Sequence, residues 1–419
     1  MTPLNPAEPP AANFSPAANF SPAALAGAAP SPAALARAAL TYLAEPGDPA
    51  LGALLGICEP VEVVAAIKAD MLPGTGPGCG DTPASRAALT RALARWRARL
   101  PSLPREADIA AACRAGIRLV CPGDPGWPGP LDQLGAARPY ALWLRGHADL
   151  DVLCQRSVSV VGSRAATGYG AHVAGEIAAD LAERGWVIVS GGAYGVDAAA
   201  HRGALVVEGI TVAVLACGVD YSYPAGHAQL FADIAARGLI VSEWPPGRHP
   251  GRLRFLIRNR TIAALACGTV IVEAGERSGA LNTARHAADL GKPLMAVPGP
   301  VTSAQSAGCH RIIREWGASC VTRAADIIEM LSPLTDADAL TSADPDGLAA
   351  TAADLARDQL DADSARVLDA FPSRGSAGAS TIAVEAGVDF GTLLGCLGVL
   401  TAYGFIERCD GGWRLRKHT

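Results

Sequence analysis

Five arginines lie within one stretch, from Gly247 to Val272, that contains no aspartate or glutamate. They are Arg248, Arg252, Arg254, Arg258 and Arg260. The net charge of the whole chain is −5, so this stretch is a local concentration of positive charge. It ends in a run typical of a buried strand, and a glycine turn and a helical pattern follow. Such junctions bind phosphate, because backbone N–H groups converge there and the helix dipole favours negative charge.

Two glycine-rich loops elsewhere also follow runs that are typical of buried strands. In the first, Gly162, Ser163 and Arg164 combine close backbone approach, a hydroxyl donor and a forked cation, all of which suit a phosphate group. The second loop suits a tight turn whose amides form an anion nest. Its three glycines are Gly191, Gly192 and Gly195. Either loop is also compatible with a purely structural turn.

Polar and aromatic side chains follow these glycine loops. Asp197 stands where a helix is expected to begin, so it suits a cap or a complement to the helix dipole. His201 lies four residues on and shares a helical face with Asp197. We therefore expect a hydrogen-bonded pair rather than a catalytic or metal site. A further loop, 223–227, interleaves aromatic residues with Gly and Pro and suits either base stacking or packing.

Within the arginine-rich stretch, one group of residues has the composition that suits a single nucleic-acid strand. Phe255 offers a ring for stacking, Arg258 and Arg260 offer cations for phosphates, and Asn259 offers an amide for a base edge or a neighbouring loop. The composition alone also allows a basic solvated surface with Phe255 in the core. Three more candidate residues follow on the next strand and turn: Glu273, Ser278 and Gly279.

The region from about residue 106 to 330 repeats a pattern of strand, turn and helix. The predicted strands are Ser157–Val161, Trp186–Ser190, Ile210–Leu215, Leu239–Ser242, Thr269–Glu273 and Leu294–Val297. Several helical stretches between them end at a glycine, namely Gly185, Gly209, Gly238 and Gly291. This alternation predicts an α/β domain with a doubly wound, mostly parallel sheet. Ligands of such sheets bind at the carboxyl ends of the strands, where all the loops above are expected to lie.

Other segments flank this α/β region. Residues 1–32 are rich in Pro and Ala and repeat AANFSP, which predicts a disordered tail. Residues 33–105 have helical spacing and predict a small helical domain of the SAM or helix-hairpin-helix type. Residues 331–363 are rich in aspartate and predict a flexible acidic linker. Residues 364–419 offer three helical runs and a hairpin around Asp410-Gly411-Gly412, an order that resembles a winged helix.

Composition limits the class of protein. A chain of 419 residues, half of them apolar, is long enough for two or three domains. Its eleven cysteines show no zinc-type spacing, which favours a reducing cytoplasm. Neither a signal-peptide pattern nor a membrane-spanning apolar run is present. We therefore predict a soluble cytoplasmic protein with no metal, no cofactor and no membrane partner.

Six motifs resemble, in order and spacing, those of the DNA-processing protein A (DprA/Smf) family. They are GSRAATGYG, SGGAYGVDAAAH, YPAGH, FLIRNR, VIVEAGERSGALNTA and VPGP, and the match covers roughly residues 110–322. The resemblance implies an extended Rossmann-like domain that binds single-stranded DNA, forms a homodimer and delivers the DNA to the RecA recombinase during natural transformation. It also implies a set of residues that face the DNA: Arg164, Phe255, Arg258 and Arg260. The implied phosphate pocket is lined by Gly162, Ser163, Gly191, Gly192 and Gly195.

The chain departs from the family pattern in two places. The family usually has Gly-x-Asn near the last strand, whereas this chain has Gly308-Cys309-His310, which leaves the local role of His310 open. The family's binding patch often contains a lysine, whereas the nearby cations here are all arginine. The second departure changes the geometry of the phosphate contacts.

Two alternative functions belong to other classes. A similar sheet occurs in nucleotide phosphoribohydrolases of the lysine-decarboxylase-like (LOG) type, but Asn282 and Thr283 stand where their catalytic acid belongs. Hydrolysis of that type needs a carboxylate, so we predict no catalytic residues and no enzyme activity. The other alternative is a winged-helix transcriptional regulator. The candidate recognition helix, Phe390–Tyr403, contains no Lys or Arg, which argues against duplex binding and favours contact with protein.

Overall fold

We describe the protein from a computed structural model, which defines residues 30–71, 83–114, 116–332, 360–372, 376–402, 405–409 and 412–416. The chain divides into two compact units, Met1–Ser332 and Pro333–Thr419. Two predicted segments lie largely outside the described residues. They are residues 1–29 of the predicted disordered tail and residues 333–359 of the predicted acidic linker.

Four helices form a front domain, the name that we use below for α1–α4. They are α1 Pro32–Leu43, α2 Pro49–Leu55, α3 Pro60–Ala69 and α4 Pro83–Arg97. Proline at the start of α1, α2 and α3 suits the first helical turn, where its missing N–H costs no hydrogen bond. Leu40, Leu51 and Trp96 are buried at the centre of this domain. The helix-hairpin-helix or SAM assignment stays a prediction.

A nine-stranded sheet follows the front domain. Its strands are β1 Ile117–Val120, β2 Leu142–Arg145, β3 Ser157–Val161, β4 Val187–Ser190, β5 Thr211–Leu215, β6 Leu239–Ser242, β7 Gly268–Ile271, β8 Leu294–Ala296 and β9 Ser319–Cys320. Their spatial order is β1-β2-β6-β5-β4-β3-β7-β8-β9. All neighbours from β6 to β9 are parallel, whereas β1 and β2 are antiparallel additions at one edge. The predicted doubly wound, mostly parallel sheet is confirmed.

Helices cover both faces of the sheet. They are α5 Glu106–Arg114, α6 Leu150–Cys154, α7 Gly168–Glu183, α8 Val196–Val206, α9 Ala228–Arg237, α10 Arg252–Leu265, α11 Ala280–Asp289, α12 Ala307–Trp316 and α13 Ala324–Leu331. On one face α7, α8 and α13 pack against Val158, Val160 and Ile188. On the other face α10, α11 and α12 pack against Val161, Val189 and Ile271. The alternation of inward side chains along each strand thus builds two core layers.

The six predicted strands lie within two residues of the observed bounds. Of the four glycines that were predicted to end helices, two have the left-handed backbone conformation and two do not. Gly185 and Gly291 adopt the left-handed conformation that ends a helix, with φ of 76° and 66°. After α8 the left-handed residue is Glu208, with φ of 59°, so the assignment of Gly209 was wrong. Gly238 is needed for a different reason, because a Cβ there would clash with the carbonyl oxygen of Thr211.

In its described residues, the second unit has three helices and a two-stranded hairpin. They are α14 Ala362–Asp369, α15 Ala379–Ala386, α16 Phe390–Ala402, β10 Ile406–Cys409 and β11 Gly412–Leu415. Val367, Ile382, Leu393 and Leu400 form its core. The order of elements agrees with the sequence pattern, and the winged-helix assignment stays a prediction. Residues 410 and 411 of the hairpin turn lie outside the described residues.

Among the described helices, none by itself has the length and apolar composition needed to cross a membrane. One pair, Ala379–Ala386 with Phe390–Thr401, meets those criteria only when its two helices are counted together, and they are bent by 103°.

Candidate nucleic-acid interface

The candidate site lies at the carboxyl ends of β3 and β7, where the direction of winding reverses. From β3 the chain adds β4, β5 and β6 on one side, and it then returns to place β7 on the other side of β3. Loops that leave two such strands diverge, and the gap between them is the usual ligand site of a doubly wound sheet. A pocket of about 780 Å³ occupies this place.

Positive charge dominates the lining of this pocket, which we call the switch-point pocket. Arg164, Arg252, Arg258 and Arg277 line it, and the carboxylate among its lining residues is that of Asp197. Arg164, Arg252 and Arg277 are exposed, whereas Arg258 is buried. Because the walls are partly apolar, the field of these cations is less screened than it would be on an open surface. The pocket therefore suits a polyanion.

Glu273 fixes the first glycine loop. Its backbone carbonyl accepts a hydrogen bond from the N–H of Ser163 at 2.7 Å. Its carboxylate accepts hydrogen bonds from the backbone N–H and the hydroxyl of Thr167, at 2.9 and 2.7 Å. Thr167 is the N-cap of α7, so Glu273 also complements the positive end of that helix. Gly162 allows this approach, because a Cβ there would lie 2.8 Å from the carbonyl oxygen of Glu273.

Arg164 and Phe255 form a stacked pair at the mouth of the pocket. The guanidinium carbon of Arg164 lies 4.2 Å from the centre of the Phe255 ring. Phe255 is half-buried, and its ring lies 5.7 Å from that of Tyr223. Phe255 therefore lies at the site and not in the core. Planar groups stacked in this way offer both charge and a face for an unpaired base.

Arg258 lies at the floor of the pocket and is 4% exposed. Its Nη1 donates a hydrogen bond to the carbonyl oxygen of Val214 at 2.6 Å. Gly191 leaves the space for the guanidinium, because a Cβ at that position would clash with it. Burial lowers the pKa of Arg258 to about 10, and the charge of Asp197 opposes that shift. Arg258 is therefore still a cation at neutral pH, held in a fixed orientation.

Asp197 is also buried, in the first turn of α8. Its carboxylate accepts a hydrogen bond from the backbone N–H of Ala193 at 3.3 Å, which ties down the second glycine loop. Burial raises the pKa of Asp197, while the charge of Arg258 and this hydrogen bond oppose the rise. The expected role at the start of a helix is thus observed in part, since the side chain also orders the loop that precedes the helix.

The expected pair between Asp197 and His201 was wrong. Nδ1 of His201 lies 2.6 Å from Oγ1 of Thr211, whose hydroxyl donates in turn to the carbonyl oxygen of Ile188 at 2.8 Å. His201 is fully buried, and burial together with nearby positive charges lowers its pKa from the ordinary 6.5 to about 3. It is therefore a neutral core residue that links α8 to the sheet.

Arg260 does not reach the switch-point pocket, which corrects the assignment of this residue to the surface that faces DNA. It is 6% exposed, and its two terminal nitrogens donate to the two carboxylate oxygens of Glu243, each at 2.7 Å. The hydroxyl of Thr261 also donates to Glu243. A bidentate ion pair of this kind holds the guanidinium inside the protein.

Three more predicted residues, Asn259, Ser278 and Gly279, build another side of the pocket. The predicted Gly191, Gly192 and Gly195 are not among its lining residues. The amide nitrogen of Asn259 donates to the carbonyl oxygen of Gly279 at 3.2 Å and to Oδ1 of Asn282 at 3.3 Å. Ser278 accepts a hydrogen bond from the N–H of Ala280 at the start of α11. Asn259, Ser278 and Gly279 all line the pocket. Asn259 thus acts on a neighbouring loop, one of the two roles that the sequence left open.

Comparison with known proteins identifies the family. The model of the family "DNA recombination-mediator protein A" matches residues 118–332. A Mycobacterium tuberculosis protein named as a DNA processing protein DprA is 43% identical over 395 residues, which span 92% of this chain and 95% of that protein. The chain belongs to the DNA recombination-mediator protein A family.

A sequence and a solved structure from Streptococcus pneumoniae extend the comparison within the DNA recombination-mediator protein A family. The DNA processing protein DprA of Streptococcus pneumoniae is 40% identical over 205 residues, which span 49% of this chain and 71% of that protein. The X-ray structure of DNA processing protein A from Streptococcus pneumoniae gives a TM-score of 0.57 at 29% identity and covers 72% of this chain and 99% of that chain. The resemblance to the DprA/Smf family and the extended Rossmann-like fold are confirmed.

His310 occupies the position where the DNA recombination-mediator protein A family was expected to have asparagine. Its Nε2 lies 2.9 Å from the carbonyl oxygen of Gly299. The ring thus joins α12 to the 298–300 turn, whose Pro298 carbonyl accepts a hydrogen bond from the hydroxyl of Tyr169. We conclude that His310 has a structural role in this chain.

Sequence reasoning missed several residues of this candidate site. Arg277 lies between two motif residues and was not selected, although it is an exposed cation in a glycine turn. Arg252 was counted in the arginine-rich stretch but was not assigned to the site. Tyr194 was not selected, and Tyr223 was noted only as part of the 223–227 loop that suits base stacking or packing. These two residues are 53% and 42% exposed and line a smaller hollow of about 260 Å³, which shares Arg164 and Phe255 with the switch-point pocket. The signal available in the sequence was the presence of tyrosines in loops that follow predicted strands.

Proposed function

We propose that this chain binds single-stranded DNA in the switch-point pocket and acts as a recombination mediator without enzymatic activity. The pocket's charge is the observation that carries the proposal. Four arginines line it against one buried carboxylate, in a chain whose net charge is −5. A protein that concentrates cations in one pocket in this way binds a polyanion locally rather than over its whole surface.

The shape of the site favours a single strand over a duplex. The Arg164–Phe255 stack and the exposed rings of Tyr194 and Tyr223 present planar faces, which bind unpaired bases and cannot reach paired ones. The buried Arg258 offers a preorganised cation for a phosphate. Base stacking and phosphate binding then act together on one flexible strand.

The binding test compares matched arginine substitutions. We expect Arg164→Ala and Arg252→Ala each to weaken binding to a labelled oligo(dT) about tenfold, because each removes a phosphate contact or a stacking face. Arg202→Ala is the control, since Arg202 is an exposed arginine of the same domain that does not line the pocket. Fluorescence anisotropy measures the affinity. Equal affinities for all three variants and the wild-type chain would refute the assignment of the pocket.

We also propose that the chain functions in the cytoplasm, as a homodimer, and delivers the bound strand to the RecA recombinase. Membership of a recombination-mediator family supports this role. The expected result is faster assembly of RecA filaments on single-stranded DNA when the chain is present. Arg164→Ala should lose that effect in proportion to its loss of DNA affinity. Sedimentation measures the oligomeric state.

The nucleotide hydrolase alternative is disfavoured by the side chains at the start of α11. Asn282 is bonded to Asn259, and Thr283 is buried against the pocket, so neither offers the carboxylate that such hydrolysis needs. Asp197 is a carboxylate in the pocket, but it orders the second glycine loop and faces the charge of Arg258. Release of free base from nucleoside monophosphates would restore the alternative.

A further inference from the structure

Glu45 connects the front domain to the helix that carries much of the switch-point pocket. It follows α1, and each of its two carboxylate oxygens accepts two hydrogen bonds. Oε1 accepts from Arg99 Nη2 at 3.1 Å and from Arg254 Nη2 at 2.8 Å. Oε2 accepts from Trp244 Nε1 at 2.9 Å and from Arg254 Nε at 3.2 Å. The carboxylate thus makes a bidentate contact with Arg254 while it joins two domains.

The start of α10 lacks the stabilising features of a helix N-terminus. Its N-cap is Gly251, which has no side chain to cap the helix, and its first turn has no acidic residue. Instead the first turn contains Arg252 and Arg254, whose charges oppose the positive end of the helix dipole. Glu45 supplies from another domain the carboxylate that this helix does not encode.

Other contacts from the same corner of the front domain engage the arginine-rich stretch. Arg248 donates to the carbonyl oxygen of Tyr42 at 2.6 Å. Gly47 packs against the guanidinium of Arg260, where a Cβ would lie 3.1 Å from Nε. Arg248, Arg254 and Arg260 therefore serve domain contact or core packing, and Arg252 and Arg258 of the same stretch line the pocket.

We infer that Glu45 is a positioning residue for the DNA site, since it fixes the start of α10 so that Arg252, Phe255 and Arg258 face the switch-point pocket. This inference rests on the proposed function. Because a helix moves nearly as a rigid body, a shift of its first turn displaces the pocket-facing side chains on the same and the next turn. Docking of the front domain and binding of DNA then stabilise each other.

Glu45 is ionised under ordinary conditions. Burial alone would raise its pKa, but hydrogen bonds from Arg254 and Trp244 and the charges of Arg254 and Arg99 outweigh burial and lower the pKa below its ordinary value. The negative charge of this carboxylate opposes the binding of a polyanion by the same domain. On charge alone, removing it should therefore tighten DNA binding.

Loss of positioning and loss of negative charge thus predict opposite changes in DNA affinity, and the experiment distinguishes them. Glu45→Gln is made in the full chain, and its affinity for oligo(dT) is measured by anisotropy. Positioning predicts binding about fivefold weaker than that of the wild-type chain, a typical coupling between two sites. Glu62→Gln is the matched control, because Glu62 is an exposed carboxylate on α3 of the same domain. It should bind like the wild-type chain.

Unchanged or tighter binding by Glu45→Gln would overturn the inference. A wild-type chain that does not bind oligo(dT) would instead refute the proposed function, so the two failures are distinguishable. If Glu45→Gln does not fold, Glu45→Asp decides the matter, because it keeps the charge but is one methylene too short for all four contacts. Weaker binding by a folded Glu45→Asp supports positioning, and wild-type binding overturns it.

Discussion

Arg258 and Arg260 lie two positions apart on α10, and their side chains have different environments. Helical geometry turns side chains two positions apart to nearly opposite sides. Arg258 therefore faces the pocket over Gly191, whereas Arg260 turns to Glu243. Sequence analysis assigned the same role to both because both are arginines of the same arginine-rich stretch. A buried partner 17 residues upstream, which decides the role of Arg260, leaves no local signal in the sequence.

His201 predicts a pH dependence of stability that belongs to a single residue. Its folded pKa is about 3, far below the ordinary 6.5, because burial penalises the charged ring. As pH falls below the unfolded value, the unfolded chain takes up a proton that the folded chain refuses, so stability is lost. The loss should reach about 2 kcal/mol near pH 5.

The measurement is urea unfolding near pH 7 and near pH 5 for the wild-type chain and for His201→Leu. The variant lacks the titrating ring, so its stability should fall less between the two pH values. Comparing the loss of stability between the two pH values in the two chains removes the contribution of the carboxylates that both chains share. Equal losses in both chains would contradict a depressed pKa at His201.

At the scale of elements, the strands were predictable and the contacts between them were only partly so. Buried parallel strands are continuous apolar runs, so β3 to β8 were located from composition within two residues. The antiparallel strands β1 and β2 were not located. The edge strand β1 is mostly half-buried and gives no such run, whereas β2 lies between β1 and β6 and is mostly buried but has only four residues. The four site loops were correctly placed, since strand ends follow from the strands.

Glu273 shows how one element depends on another. We expect Glu273→Gln to loosen the 162–170 loop, because an amide offers one acceptor where the carboxylate receives two hydrogen bonds from Thr167. Amide hydrogen exchange in this loop should become faster, and oligo(dT) affinity should fall. Glu276→Gln, an exposed carboxylate three residues on, is the control and should leave both unchanged. Wild-type exchange rates in Glu273→Gln would contradict this account of the loop.

The net charge of the whole chain is negative, whereas that of the switch-point pocket is positive. The salt dependence of DNA binding should reflect the charge of the pocket. Binding through three to four arginine–phosphate contacts predicts a slope of roughly −2 to −3 when the logarithm of affinity is plotted against that of salt concentration. Arg164→Ala should reduce the slope by about 0.7. A slope near zero, measured by anisotropy over a salt titration, would contradict a charge-driven site.

The pairing of β3 with β7 has a consequence for how the protein is made. Val158 pairs with Gly268, so the pocket joins segments that leave the ribosome far apart in time. A nascent chain that has released β3 to β6 already has two glycine loops, but it lacks Phe255, Arg258 and the Glu273 that fixes Thr167. On the proposed assignment of the pocket, synthesis must pass β7 before a chain can bind single-stranded DNA there. We therefore expect unfinished copies not to compete with complete ones for DNA.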